Sequence, residues 1–188
     1  MNCYLLAGGR SSRMGRSKLE IELGGATFLD RAASAARAVF DRVIAVQRPG
    51  GAKLDIETIE EAPHDDEAAI FGLLAALRHA KATCFLLAVD YPLIDADVLR
   101  FLRMRVEVSN STIIVPRWSG KLQMLCAGYA FDVEAIVTER IASKQYDLHG
   151  LARGAEIIEE DELRSRFGGE PLLNVNTPEE LESAMRYA

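Results

Sequence analysis

The sequence has little with which to build disulfides, metal clusters or membrane spans. It holds three cysteines, Cys3, Cys84 and Cys126, far apart and with no CxxC pair among them. Their apolar neighbours point to reduced, buried packing residues and not to a disulfide or zinc site. The histidines, His64, His79 and His149, are also three and show no metal-ligand spacing, so surface or core roles are expected of them. No apolar run approaches the roughly 20 residues a membrane span needs. The N-terminus lacks the basic region, apolar stretch and cleavage site of a signal peptide, which leads us to expect a cytosolic protein. Net positive charge is absent too. The formal balance is −6, which argues against a general nucleic-acid binder.

What the chain does have is an ordinary globular composition, 49% apolar and 27% charged over 188 residues. That is enough for one domain with a sizeable core, and a single domain over residues 1–188 is expected. Short apolar runs alternate with stretches of helical period. Asn2 to Ala7, Arg42 to Gln47, Asp55 to Ile59, Cys84 to Val89, Thr112 to Val115, Met124 to Tyr129 and Leu172 to Val175 read as strands. Cys84 to Val89 is uninterrupted, as in a strand buried on both faces of a parallel sheet. Helices are expected over Thr27 to Phe40 and Ala69 to Ala80, and after Asp95, Asp132 and Thr177 as N-caps. Thr177-Pro178-Glu179-Glu180 is a capping box with proline at the first helical position, and Leu181, Ala184 and Met185 are the expected packing face. Lys144 to Gly169 has the weakest periodicity and is expected to hold an irregular segment. The whole is an α/β pattern of three layers.

Charge is unevenly placed. Arg10 to Lys18 carries four cations and no acid, while Leu54 to Leu77 carries seven acids and no Lys or Arg. The basic run follows Gly8-Gly9, directly after the first strand. Glycines there let backbone N–H groups approach phosphate oxygens. Arg13 and Lys18 can then neutralise a triphosphate, arginine through its fork and lysine as a point charge. The loop is neither a Walker A motif nor GxGxxG. In open α/β sheets ligands bind beyond the carboxyl ends of strands, so the segments after Leu6, after Ile59 and at Asp90-Tyr91-Pro92 are the chemical candidates.

Leu6-Ala7-Gly8-Gly9-Arg10-Ser11-Ser12-Arg13-Met14-Gly15-Arg16-Ser17-Lys18 resembles the LAGGxSxRMGxDK signature of the molybdenum cofactor guanylyltransferase (MobA) family, with Ser17 in place of the family's aspartate. Ile70 to Leu77 is similar to the family's GPLAGLLAAL helix start, although Ala68-Ala69 replace its Gly-Pro. Ala88 to Ile94 stands where the family has DxPxL. Gln123-Met124-Leu125 lies in the approximate place of a middle-region proline–leucine motif. Asn174 to Leu181 is close to its NINTPEDL ending.

The resemblance implies a Rossmann-like nucleotidyltransferase fold with a mostly parallel central sheet. It also implies transfer of GMP from GTP to molybdopterin with release of pyrophosphate, aided by Mg²⁺. Carried over by position, Leu6, Ala7, Gly8 and Gly9 meet the nucleotide, Arg13 and Lys18 its phosphates, and Asp90 the metal. Gln47 and Glu61 stand near family residues that hold the nucleotide, with Glu60 as the alternative to Glu61. Asn174 and Asn176 contact the acceptor. Transient contact with molybdoenzymes or cofactor-handling proteins belongs to the same expectation. Two alternatives stay open on the residues themselves: a relative using CTP or another phosphorylated acceptor, and a nucleotide-binding accessory protein without turnover.

Overall fold

The computed structural model describes residues 1–7 and 18–187, with the Lys18 side chain outside the described part. In chain order its elements are β1 (Cys3–Leu6), β2 (Glu22–Leu23), β3 (Ala26–Thr27), α1 (Phe28–Arg37), β4 (Val43–Gln47), β5 (Thr58–Glu60), α2 (Ala69–Ala80), β6 (Cys84–Ala88) and α3 (Ala96–Val108). There follow β7 (Ile113–Trp118), β8 (Lys121–Leu122), β9 (Cys126–Tyr129), α4 (Val133–Ala142), β10 (Glu156–Ile158), α5 (Glu160–Phe167) and α6 (Pro178–Ala184).

The main sheet runs β10-β7-β9-β6-β1-β4-β5, with β8 hairpinned onto β7. It is parallel except at β9, which lies antiparallel between β6 and β7, and at the β8 hairpin. This is the mixed, mostly parallel sheet expected. Strands β1, β4 and β6 have no exposed residue, because helices cover both faces: α1 packs with α3, and α2 with α4. Each fully buried leucine or isoleucine of these strands contributes about 1.5–3 kcal/mol. On β9 the fit is close. A Cβ on Gly128 would stand 2.2 Å from Val106 Cγ2 of α3, so only glycine lets that helix approach.

The sheet positions the site through its order. β4 and β5 lie on one side of β1 and β6 on the other, so the chain reverses direction across the sheet at β1. A crevice opens at such a reversal, beyond the carboxyl ends of the strands.

Several expectations are corrected. The strand expected over Asp55 to Ile59 is Thr58–Glu60. Asp132 stands before α4 but its side chain caps nothing there, whereas Asp95 accepts from the Asp97 and Val98 N–H groups as expected. Leu172 to Val175 forms no strand, because its backbone is tied to a loop and not to a sheet edge. Met185 is exposed, while Ala184 alone of that face is fully buried. The largest difference is Lys144 to Gly169, which contains β10 and α5. Within β10 and α5 only Ile158 and Leu163 are buried, so their apolar signal is drowned by the charged residues around it.

Candidate functional site

Three strand ends meet at the crevice, and backbone hydrogen bonds line them up. The Ala7 N–H donates to the Val46 carbonyl (2.9 Å), and the Glu61 N–H donates to the Gln47 carbonyl (2.9 Å). Leu6, Ala7, Gln47 and Glu61 therefore lie together at the carboxyl ends of β1, β4 and β5. Gln47 and Glu61 are the buried polar residues there, 9% and 8% exposed. Glu61 Oε1 lies over α2 at Gly72, where a Cβ would be 2.9 Å from it and 2.5 Å from Leu6 Cδ2. Gly72 is thus the residue that lets Glu61, Leu6 and α2 come together. Gln47 is covered by its own turn, since a Cβ on Gly51 would meet its Oε1 at 2.6 Å.

Asp90 stands on the other side of β1, two residues past the end of β6, and is 8% exposed. Its backbone carbonyl accepts from the Val175 N–H (2.8 Å). Val175 is fully buried in a small second core with Ile21, Leu23, Phe28 and Ala184. With Val175 turned inward, Asn174 and Asn176 both face the opposite way. Asn176 Nδ2 donates to Asn174 Oδ1, and both line a cavity of about 610 Å³. The Glu180 carboxylate accepts from the N–H groups of Asn176 (2.6 Å) and Thr177 (3.1 Å), completing the expected capping box and holding the asparagines in place.

The cavity is walled by the β7–β8 hairpin, by Tyr146 to His149 and by the start of α2 at Ala68 and Ala69. It is organised by Tyr91 and Gln123, which the sequence marked only as members of candidate segments and not as partners of each other. The Tyr91 hydroxyl donates to Gln123 Oε1 (3.0 Å), and Gln123 Nε2 donates back to the carbonyls of Trp118 and Lys121. Burial, and then the charge of Asp90, push the Tyr91 hydroxyl well above its ordinary range, so it remains a donor. Trp118 is fixed from outside, with the Arg164 guanidinium 4.2 Å over its ring and Glu170 accepting its indole N–H. Of the three histidines, His79, bonded to the Tyr4 hydroxyl, and His149, at the cavity rim, are exposed as the surface-or-core expectation has it, whereas His64 reaches Glu61 Oε2 through Nε2 (2.8 Å).

The arrangement is a set of strand ends bearing Gln47 and Glu61 on one side of β1, and on the other Asp90 past the end of β6 and the cavity lined by Asn174 and Asn176. A comparison with known proteins decides what it belongs to. The family model described as the MobA-like NTP transferase domain matches residues 3–163. The chain belongs to the MobA-like NTP transferase family. It is accordingly a nucleotidyltransferase domain. It is 31% identical over 186 residues to a probable molybdenum cofactor guanylyltransferase of Aquifex aeolicus, covering 96% of this chain and 88% of that protein. A protein of the same description from Thermococcus kodakarensis is 32% identical over 190 residues, covering 94% and 90%. Among solved structures, molybdopterin-guanine dinucleotide biosynthesis protein A of Archaeoglobus fulgidus superposes with a TM-score of 0.85 over 100% of this chain and 98% of its own. At 24% identity that likeness speaks for the fold. So does the likeness to a cytidylyltransferase of Thermus thermophilus, TM-score 0.70 at 14% identity, with 98% of this chain and 96% of the other covered.

Of the residues expected to act, the structure brings together Leu6, Ala7, Gln47 and Glu61 at the strand ends on one side, and Asp90 with the Asn174–Asn176 turn on the other. Gly8, Gly9 and Arg13 lie outside the described residues, as does the side chain of Lys18, whose backbone opens a short 3₁₀ turn over Lys18–Glu20. Among the described residues no group of three or more His, Cys, Asp or Glu side chains could enclose a metal. Asp90 nevertheless fits Mg²⁺, which is commonly bound by one or two carboxylates with phosphate oxygens and water completing its shell. Among the described residues no helix is long and apolar enough to cross a membrane.

Proposed function

We propose that this chain transfers GMP from GTP to the terminal phosphate of molybdopterin, forming the guanine dinucleotide and releasing pyrophosphate. The observation that carries the reading is the two-sided site: the ends of β1, β4 and β5 with the buried Glu61, a cavity bearing Asn174 and Asn176, and one buried carboxylate, Asp90, past the end of β6. Relatives at 31% and 32% identity, named as probable molybdenum cofactor guanylyltransferases, support it.

In this reading the loop Leu6 to Lys18 cradles the triphosphate, with Arg13 and Lys18 offsetting its charge. Glu61 accepts from guanine N1–H and the adjacent 2-amino group at one carboxylate oxygen, whose two lone pairs can take both donors. Gln47 borders the same nucleotide. Asn174 and Asn176 orient the acceptor so that its phosphate oxygen attacks the α-phosphorus in line. The bond from that phosphorus to the bridging oxygen breaks and pyrophosphate leaves. No side chain need act as nucleophile, because positioning and charge neutralisation supply the rate. Mg²⁺ held by Asp90 would neutralise the phosphate oxygens as charge develops on the leaving group. Hand-over of the product to molybdoenzymes or cofactor-handling proteins is part of the same proposal.

The test is nucleotide-dependent thermal unfolding with Mg²⁺, followed by pyrophosphate release on adding molybdopterin. GTP should raise the unfolding midpoint more than CTP, ATP or UTP, and pyrophosphate should appear only with the acceptor. A larger shift with CTP would overturn the guanine assignment. Binding of GTP without pyrophosphate release would point to an accessory role.

A further inference from the structure

Glu61 does not stand alone, and its partner bears on which base the crevice accepts. His64 sits three residues on, its side chain only 9% exposed, with Nε2 2.8 Å from Glu61 Oε2. Its other ring nitrogen, Nδ1, is 2.5 Å from the backbone carbonyl of Asp66. A carbonyl oxygen only accepts, so Nδ1 must carry hydrogen. Nε2 and Oε2 then share one proton. With either placement of that proton the pair is neutral overall, and Oε2 is committed to the imidazole. Oε1 is left facing Gly72 and Leu6, at the carboxyl end of β1.

The ring is held in this pose from several sides. His64 stacks on Phe71 of α2 at 3.7 Å between centroids and 11° between planes. Phe71 in turn meets Tyr146 from the cavity wall at 5.3 Å, and the Tyr146 hydroxyl donates to Asp66 Oδ2 (2.7 Å). Arg48 donates to the His64 carbonyl (2.9 Å) and pairs with Glu67 (3.3 Å). The imidazole is thus fixed in tautomer at Nδ1 and in plane by Phe71, so the orientation of the carboxylate is set before a nucleotide arrives.

We infer that His64 is a positioning residue for base selection: it locks Glu61 so that Oε1 is presented as an acceptor to a purine bearing N–H donors at its Watson–Crick edge. Guanine offers such donors at N1 and the 2-amino group. Adenine presents a lone pair at N1 to the same oxygen and is rejected. Fixing the acceptor also removes the cost of immobilising a free carboxylate on binding. The inference rests on the reading of Glu61 as the guanine acceptor.

Calorimetric titration of the full chain with GTP and with ATP, both with Mg²⁺, tests it through the ratio of the two affinities. His64→Phe keeps a ring to stack on Phe71 and removes both nitrogens. It should lower GTP affinity by about tenfold, the scale of one charge-assisted hydrogen bond, and leave ATP affinity unchanged. His64→Gln can still donate to Glu61 and should recover most of the ratio at an unfolding midpoint close to that of the native chain. If His64→Phe keeps the native ratio, or weakens GTP and ATP equally, the ring is packing alone and the inference is overturned. Glu61→Gln separates the two levels. If it collapses the ratio while His64→Phe does not, only the role of His64 falls. If Glu61→Gln itself leaves the ratio unchanged, the reading of Glu61 as guanine acceptor falls and the role of His64 with it.

Discussion

At the residue scale the proposed mechanism turns on Asp90. It lies two residues past a strand buried on both faces, its carbonyl holds the turn at Val175, and it is 8% exposed. Replacing its carboxylate by an amide preserves shape and removes the charge. Asp90→Asn should lower turnover by roughly 10²–10³-fold, as loss of other electrostatic stabilisers does, with an unchanged unfolding midpoint. Steady-state pyrophosphate release at saturating Mg²⁺ is the measurement, and a rate near that of the native chain would remove Asp90 from the site. Glu61 and His64 show how far residue-level reading of the sequence goes. An acid near the end of the third strand is visible in the sequence. That the histidine three residues later turns back onto it is not, because a turn carries no periodicity to predict side-chain direction.

At the scale of elements, glycines and ion pairs join the layers. Gly128→Ala would place a methyl group against Val106 of α3, inside a fully packed core, and should cost about 1–3 kcal/mol in chemical denaturation with no change in nucleotide affinity. Arg105 of α3 ties down the late part of the chain, pairing with Glu156 of β10 and Glu162 of α5. A hydrogen bond from Ser109 and then the Arg105 guanidinium hold the Glu156 carboxyl below its usual range. A depressed carboxyl stabilises the fold above its unfolded pKa and ceases to do so as pH falls through its folded value. Glu156→Gln should therefore be less stable than the native chain by about 1 kcal/mol near neutral pH. The difference should vanish as the pH is taken below the carboxylate range, where urea denaturation would show equal midpoints. A difference that persists in acid would deny the charge its part. These contacts explain why 144–169 is ordered although its sequence is weakly periodic: α5 and β10 are held by long-range ion pairs that no local pattern encodes.

Across the whole molecule the three cysteines behave as core residues. Burial pushes the Cys84 thiol up to about 12 and raises Cys3 and Cys126 as well, so none supplies thiolate near neutral pH. A thiol reagent such as DTNB should react with none of them in the native protein and with three after unfolding in guanidinium. A fast-reacting thiol in the native state would contradict this packing. Cys3 and Cys84 lie on the parallel strands β1 and β6, and Cys126 on the antiparallel β9 beside them.

The sequence by itself determined the alternation of buried strands and amphipathic helices, the ends of the first strand and of the Cys84 strand to within a residue, and the capping box at Thr177. All of these rest on local spacing, since period, caps and apolar runs are properties of neighbouring residues. Family membership was equally legible, because its motifs are contiguous. Only the tertiary structure decided that Ala7, Gln47 and Glu61 meet at neighbouring strand ends and that Val175 turns both asparagines toward one cavity. It also decided that Gln123 organises the cavity floor through Tyr91, and that His64 closes on Glu61 over Gly72. Each of these joins residues whose side chains meet through sheet register or a turn, and that meeting depends on packing the whole chain around β1.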